Sequence, residues 1–124
     1  MTAQLSLFDH MRLPIIQQQV DPDGPVVEDP DLVLTFRDPK KRWLYASLEI
    51  HPAGNERWMW SCSYGINNAG GGYAPGLKWG KFASSQNDAI YYAAAELIRR
   101  VTNAMEQNDK FARQVLAWAA EQQA

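Results

Sequence analysis

The chain has 124 residues, a hydrophobic fraction of 46%, a charged fraction of 21% and a formal net charge of −2. That length holds one domain with a modest core and leaves little room for both a substrate cleft and a cofactor fold. The charge excludes bulk attraction to nucleic acid, the single cysteine (Cys62) excludes an internal disulfide framework, and no apolar run reaches the roughly 18–20 residues that span a bilayer. The first residues lack the charged-then-apolar layout of a signal peptide, and a lone thiol suits a reducing compartment. The expected location is the cytoplasm, with no membrane partner.

Charge is unevenly distributed. Residues 1–30 carry five acids (Asp9, Asp21, Asp23, Glu28, Asp29) against one base, Arg12. Residues 36–82 carry seven bases against three acids and hold nine of the fourteen aromatic residues. An acidic leader therefore precedes a basic, aromatic-rich segment.

In chain order, residues 1–30 read as a flexible leader. Asp21-Pro22-Asp23-Gly24-Pro25 and Asp29-Pro30 remove backbone donors and constrain their neighbours, which predicts an extended, protease-sensitive linker. A single domain is expected over 31–124. Leu32–Arg37 reads as a short strand stopped by the turn Asp38-Pro39-Lys40-Lys41. From Trp43 to Ile50 the pattern alternates, with Leu44, Ala46, Leu48 and Ile50 on one face and Trp43, Tyr45, Ser47 and Glu49 on the other. His51–Asn55 reads as a turn. Arg57–Tyr64 alternates again, placing Trp58, Trp60, Cys62 and Tyr64 on one face. Asn67–Gly76 is expected to be a long loop and Leu77–Phe82 a fourth short strand.

The period changes at Ser84. Ser85 is positioned to N-cap a helix, with Asp88 in the reciprocal place of a capping box. Ile90, Ala94, Leu97, Ile98, Val101 and Met105 then recur at spacings of three and four, predicting an amphipathic helix over about 86–106. Arg99 and Arg100 fall on its outer face. Asn108 is the expected start of a second helix with Phe111, Val115, Trp118 and Ala119 as its apolar stripe. The predicted fold is α+β: an antiparallel meander of three or four strands, one face covered by the first C-terminal helix, plus a second short helix.

One motif in the leader points to a partner. Gln4-Leu5-Ser6-Leu7-Phe8 resembles, at all five positions, the docking pentapeptide by which bacterial replication and repair proteins bind the sliding clamp, the β subunit of DNA polymerase III. The resemblance covers five residues and says nothing of the fold. It implies that Leu7 and Phe8 fill a hydrophobic pocket on the clamp, with Leu5 alongside and Gln4 in a polar subsite. The residues support such a role on their own terms. Three large apolar side chains on a polar, proline-bounded segment have nothing local to bury against, and an extended peptide can seat them in a preformed groove. Gln4 offers donors and acceptors to groove backbone. Burial of roughly 1.5–3 kcal/mol per side chain, less the entropy of ordering, leads to a micromolar association, about −8 kcal/mol. Because the clamp is a ring with one site per subunit, a homodimer of this chain would gain avidity.

A second expectation concerns the body. Trp43, Tyr45, Trp58, Trp60, Trp79 and Phe82 fall in or beside strands that also carry Arg42, Arg57, Lys78 and Lys81. A sheet face presenting aromatics rimmed by bases can stack nucleobases and hold phosphates, so Arg42, Trp43, Tyr45, Arg57, Lys78 and Lys81 are candidate nucleic-acid contacts. Core filling is the competing role for strand tryptophans.

Catalytic chemistry finds no pattern. His10 and His51 are far apart, Cys62 stands alone, and Gly70-Gly71-Gly72 lacks the lysine and hydroxyl of a phosphate-binding loop. No enzyme activity, metal or cofactor is expected. The leading expectation is a clamp-associated accessory or adaptor of DNA replication or repair, of the kind a phage or plasmid encodes, whose body acts on DNA or a second protein. The alternatives are an inhibitor of a host defence or repair protein, of the anti-restriction or anti-CRISPR type, and a small DNA-binding protein using the basic aromatic face.

Overall fold

The computed structural model describes residues 15–17, 30–54, 56–72 and 81–124. Its strands are β1 (Ile16–Gln17), β2 (Leu32–Arg37), β3 (Tyr45–Pro52), β4 (Trp58–Ile66), β5 (Ala69–Gly72) and β6 (Lys81–Phe82), followed by helices α1 (Gln86–Ala104) and α2 (Lys110–Gln122). Strands β2 to β5 form one antiparallel sheet in sequential order, and β1 pairs separately with β6. The protein is α+β.

Alternation sorts the side chains of the sheet. Leu44, just before β3, and Ala46, Leu48 and Ile50 within it are all buried. In register beside them on β4 stand Tyr64, Cys62 and Trp60. This face meets α1, whose buried residues include Ala89, Ala93, Ala94, Leu97 and Val101. Three alanines in that stripe let the helix axis approach the sheet, while Leu97 and Val101 fill the space between. Full burial of each large aliphatic side chain contributes roughly 1.5–3 kcal/mol. Helix α2 packs on α1 through Phe111, Ala112, Val115 and Ala119. Phe36 of β2 closes the edge, its ring 5.7 Å from Phe111 and 5.9 Å from Trp118.

Helix α1 begins as expected: Ser85 Oγ accepts the Asp88 amide at 3.0 Å. It ends at Ala104, where the Met105 amide donates to the Val101 carbonyl. Helix α2 starts one residue later than expected. Asp109, rather than Asn108, is its N-cap, accepting the Ala112 amide at 3.0 Å.

Three further departures from the expected pattern have physical causes. The glycine-rich stretch is not wholly loop, because Ala69–Gly72 forms β5 and pairs with Ser63–Ile66 after a two-residue turn. That turn is held from a distance. Asn67 donates its amide and its side-chain Nδ2 to the Asp109 carboxylate, and Asn68 Nδ2 donates to the Ala104 carbonyl. The fourth strand of the meander is therefore β5. Lys81–Phe82 is a strand, but it pairs with Ile16–Gln17, inside the stretch expected as leader. Third, β3 runs on through His51 and Pro52, and the reversal lies at 53–57, where the Ala53 amide donates to the Arg57 carbonyl.

Candidate partner and nucleic-acid interface

The docking pentapeptide Gln4–Phe8 lies outside the described residues. What the structure supplies is where the chain that carries it joins the body. Ile16 pairs with Phe82 and Gln17 with Lys81. Phe8 is eight residues before Ile16, so the peptide can stand at most about 28 Å from that anchor.

The sheet face opposite the helices is not uniform. Reading across the register, one row holds Arg37, Tyr45 and Gly65, the next Thr35, Ser47 and Ser63, the next Val33, Glu49 and Ser61, and the last His51 and Met59. At the His51 end this face is covered: His51, Met59 and Ser61 are all buried. There Ser61 Oγ donates to Glu49 Oε2 at 3.2 Å, and His51 Nε2 lies 3.9 Å from the same oxygen. At the Tyr45 end the face is open.

The open end continues into the β2–β3 turn, which places Arg37, Lys40, Lys41, Arg42 and Trp43 together, all exposed. Trp43 is 64% exposed. The turn is tightly built. Asp38 Oδ1 accepts the amides of Lys40 and Lys41, each at 2.8 Å, the Asp38 amide donates to the Leu44 carbonyl, and the Leu44 amide donates to the Lys41 carbonyl. The Lys41 and Lys40 amides hold the Asp38 carboxyl below its ordinary value, so it is ionised at neutral pH. Arg37 braces the turn from the side: Nη1 donates to the Arg42 carbonyl at 3.2 Å, and its guanidinium carbon sits 5.5 Å from the centre of the Tyr45 ring. Tyr45 itself lies across Gly65. Its role is that of a strut, and the accessible aromatic of the cluster is Trp43.

Of the residues predicted as nucleic-acid contacts, Arg42, Trp43 and Tyr45 come together here. Arg57 does not join them. It precedes Trp58, which pairs with Pro52, seven residues along β3 from Tyr45 and hence about 23 Å away. Its guanidinium is already engaged, with Nε on the Gly54 carbonyl, Nη2 on the Ala53 carbonyl and Cζ 4.4 Å from the centre of the Phe82 ring. Lys81 is elsewhere again, and Lys78 lies outside the described residues. Trp58 and Trp60 belong to the side that packs on α1. Sequence reasoning missed Arg37, Lys40 and Lys41 as members of the cluster. The signal was present as four bases within the six residues 37–42.

Lys81 borders a cleft of about 610 Å³ between β4 and the flank of α1, with Met59, Trp60, Tyr92, Glu96 and Arg100 among its walls. Trp60 and Tyr92 stack with centroids 5.5 Å apart. Glu96 ties the wall together, accepting Trp60 Nε1–H at 3.1 Å and pairing with Arg100 at 3.1 Å. Behind it Cys62 is buried. Burial and the nearby Glu96 carboxylate push its thiol pKa up to about 12 against the pull of Arg100 and Arg99, so the thiol is protonated and weakly nucleophilic at neutral pH.

Among the described residues no group of three or more His, Cys, Asp or Glu side chains could hold a metal ion, and no helix is long and apolar enough to cross a membrane. No protein-family model matches the chain, and comparison with curated proteins and with solved structures likewise returns no match.

Proposed function

We propose that this chain is an accessory protein that docks on the bacterial sliding clamp through Gln4–Phe8 and holds its α+β body beside the ring. The observation behind this reading is the full five-position fit of Gln4-Leu5-Ser6-Leu7-Phe8 to the docking pattern. The position of β1 adds a geometric consequence. With the chain tied to β6 at Ile16, the tether between peptide and body is the short stretch after Phe8, and the acidic, proline-containing residues 18–29 belong to a separate connection that leads on to β2. A tether of at most about 28 Å keeps the body next to the clamp surface, within reach of the DNA that the ring encircles or of another protein docked on it.

The test is binding of the full-length chain to an immobilised, purified bacterial sliding clamp. A dissociation constant in the micromolar range is expected, and Leu7→Ala combined with Phe8→Ala should abolish the signal. Unchanged binding by the double variant, or no binding by the parent chain, would remove the proposal.

A further inference from the structure

We propose that the β2–β3 turn is a binding site for single-stranded DNA, with phosphates held by Lys40, Lys41 and Arg42 and a base stacked on Trp43. The site is independent of clamp docking.

Four bases stand within residues 37–42 against one acid, Asp38, whose Oδ1 is occupied by two backbone amides within the turn. Arg37 is spent on bracing, through the Arg42 carbonyl and the Tyr45 ring, which leaves Lys40, Lys41 and Arg42 exposed on a hydrogen-bonded turn. Trp43 and Val33 are the large apolar residues that stand exposed among the described residues, and Trp43 is the more so. Its ring is presented by a backbone that is locked in place, because the Trp43 carbonyl rests on Gly65, where no side chain intervenes. An exposed aromatic ring carried on a held backbone and flanked by exposed cations is the arrangement that accepts an unpaired base together with its phosphate.

The surroundings favour a strand of nucleic acid over other anionic partners. Next to the Arg37–Tyr45 row lies a row of hydroxyls, Thr35, Ser47 and Ser63, with Thr35 and Ser47 oxygens 3.5 Å apart. It extends the site as a polar lane that suits a sugar–phosphate backbone. A bilayer surface would call for a broader apolar patch around Trp43, and here Arg42 stands next to it in the chain, with the Arg37–Tyr45 row and then the hydroxyl row beyond. A duplex keeps its bases stacked and offers nothing to the tryptophan ring. The net charge of −2 repels nucleic acid as a whole, so any affinity must arise locally.

Fluorescence anisotropy of a labelled oligothymidylate with the full-length chain tests the site. Three phosphate contacts give a slope of log affinity on log salt of about −2, hence a loss of roughly fifteen-fold between about 50 and about 200 mM salt. Replacing Lys40, Lys41 and Arg42 together by Gln should weaken binding by at least about tenfold and flatten that slope. Trp43→Ala should weaken binding by about tenfold and leave the slope unchanged, which separates stacking from charge. All four side chains are exposed, so these variants should keep the far-ultraviolet spectrum and unfolding midpoint of the parent. Lys110→Gln with Arg113→Gln, two exposed bases on α2, should bind like the parent, as should Leu7→Ala with Phe8→Ala. The proposal is overturned if the oligonucleotide fails to bind at low salt, or if Trp43→Ala binds as the parent does. It is equally overturned if the α2 pair costs as much as the turn triple, if duplex DNA binds as tightly as the single strand, or if only phosphatidylserine vesicles are bound.

Discussion

The main-chain carbonyl of Trp43 occupies the space that a β-carbon on Gly65 would fill, and Tyr45 Cε1 lies 3.2 Å from that same point. The obstacle is backbone, which cannot swing aside as a side-chain end would. Gly65→Ala should therefore lower unfolding free energy by about 1–3 kcal/mol and displace the turn that presents Trp43. At Gly70 the nearest atom to a new β-carbon is the Tyr64 carbonyl oxygen at 3.3 Å, so Gly70→Ala should cost clearly less. Urea unfolding of the two variants checks the order, and equal losses would show that the close approach at Gly65 is not what matters.

Asp109 ties helix α2 to the β4–β5 turn. Its carboxylate accepts the Ala112 amide as N-cap of α2, and the amide and Nδ2 of Asn67 from the β4–β5 turn. Burial raises the pKa of this group, but the hydrogen bonds from Ala112, Asn67 and Phe111 outweigh it and hold the value below the ordinary 3.8. A folded-state pKa below the unfolded one means the carboxylate stabilises the fold above about pH 4, and that this contribution is lost as pH falls through the folded value. Asp109→Asn retains a capping side chain and removes the charge. It should be less stable than the parent at neutral pH and should lose less on acidification below pH 4. Urea midpoints at neutral and acid pH make the comparison, and parallel losses in both proteins would discount Asp109 as the titrating group.

The extent to which these features can be read from the sequence follows their range along the chain. Alternation from Leu44 to Ile50 identified the buried face because each residue's side is fixed by its neighbours, and the Ser85 cap needed only Asp88, three residues on. Strand β5 is different. Three glycines carry no side-chain pattern, and the turn before it is pinned by Asp109 and Ala104, some forty residues away. The burial of His51, Met59 and Ser61 was equally hidden, since alternation assigns them to the face away from α1. The basic, aromatic composition of residues 36–82 was visible, but its division was not. Local spacing cannot show that Arg57 sits at the opposite end of β3 from Tyr45, or that Lys81 borders a cleft against α1.

Cys62 offers a probe of opening. Its thiol is buried on β4, and burial followed by the Glu96 carboxylate pushes its pKa up to about 12. A neutral, enclosed thiol does not attack a disulfide reagent, so near pH 8 the native chain should stay unlabelled while the urea-unfolded chain reacts fully. Labelling rates across a urea series should follow the population of the unfolded state. Rapid labelling of the native chain would show that β4 and α1 separate readily.

The pairing of β1 with β6 divides the leader at a definite point, and truncation can find it. Ile16 and Gln17 add a short ladder to Lys81–Phe82, and the buried Phe82 ring is roofed by the Arg57 guanidinium. Deleting residues 1–13 spares that ladder. If Leu5, Leu7 and Phe8 are held for a partner, this deletion should leave unfolding free energy within about 0.5 kcal/mol of the parent and abolish clamp binding. Deleting residues 1–17 removes the ladder as well, and should cost a further 1–3 kcal/mol or so, the net worth of about two backbone hydrogen bonds and some apolar contact. A large loss already at the shorter deletion would mean that the three apolar side chains stabilise this protein's own fold. In that case they are not available to a groove on the clamp.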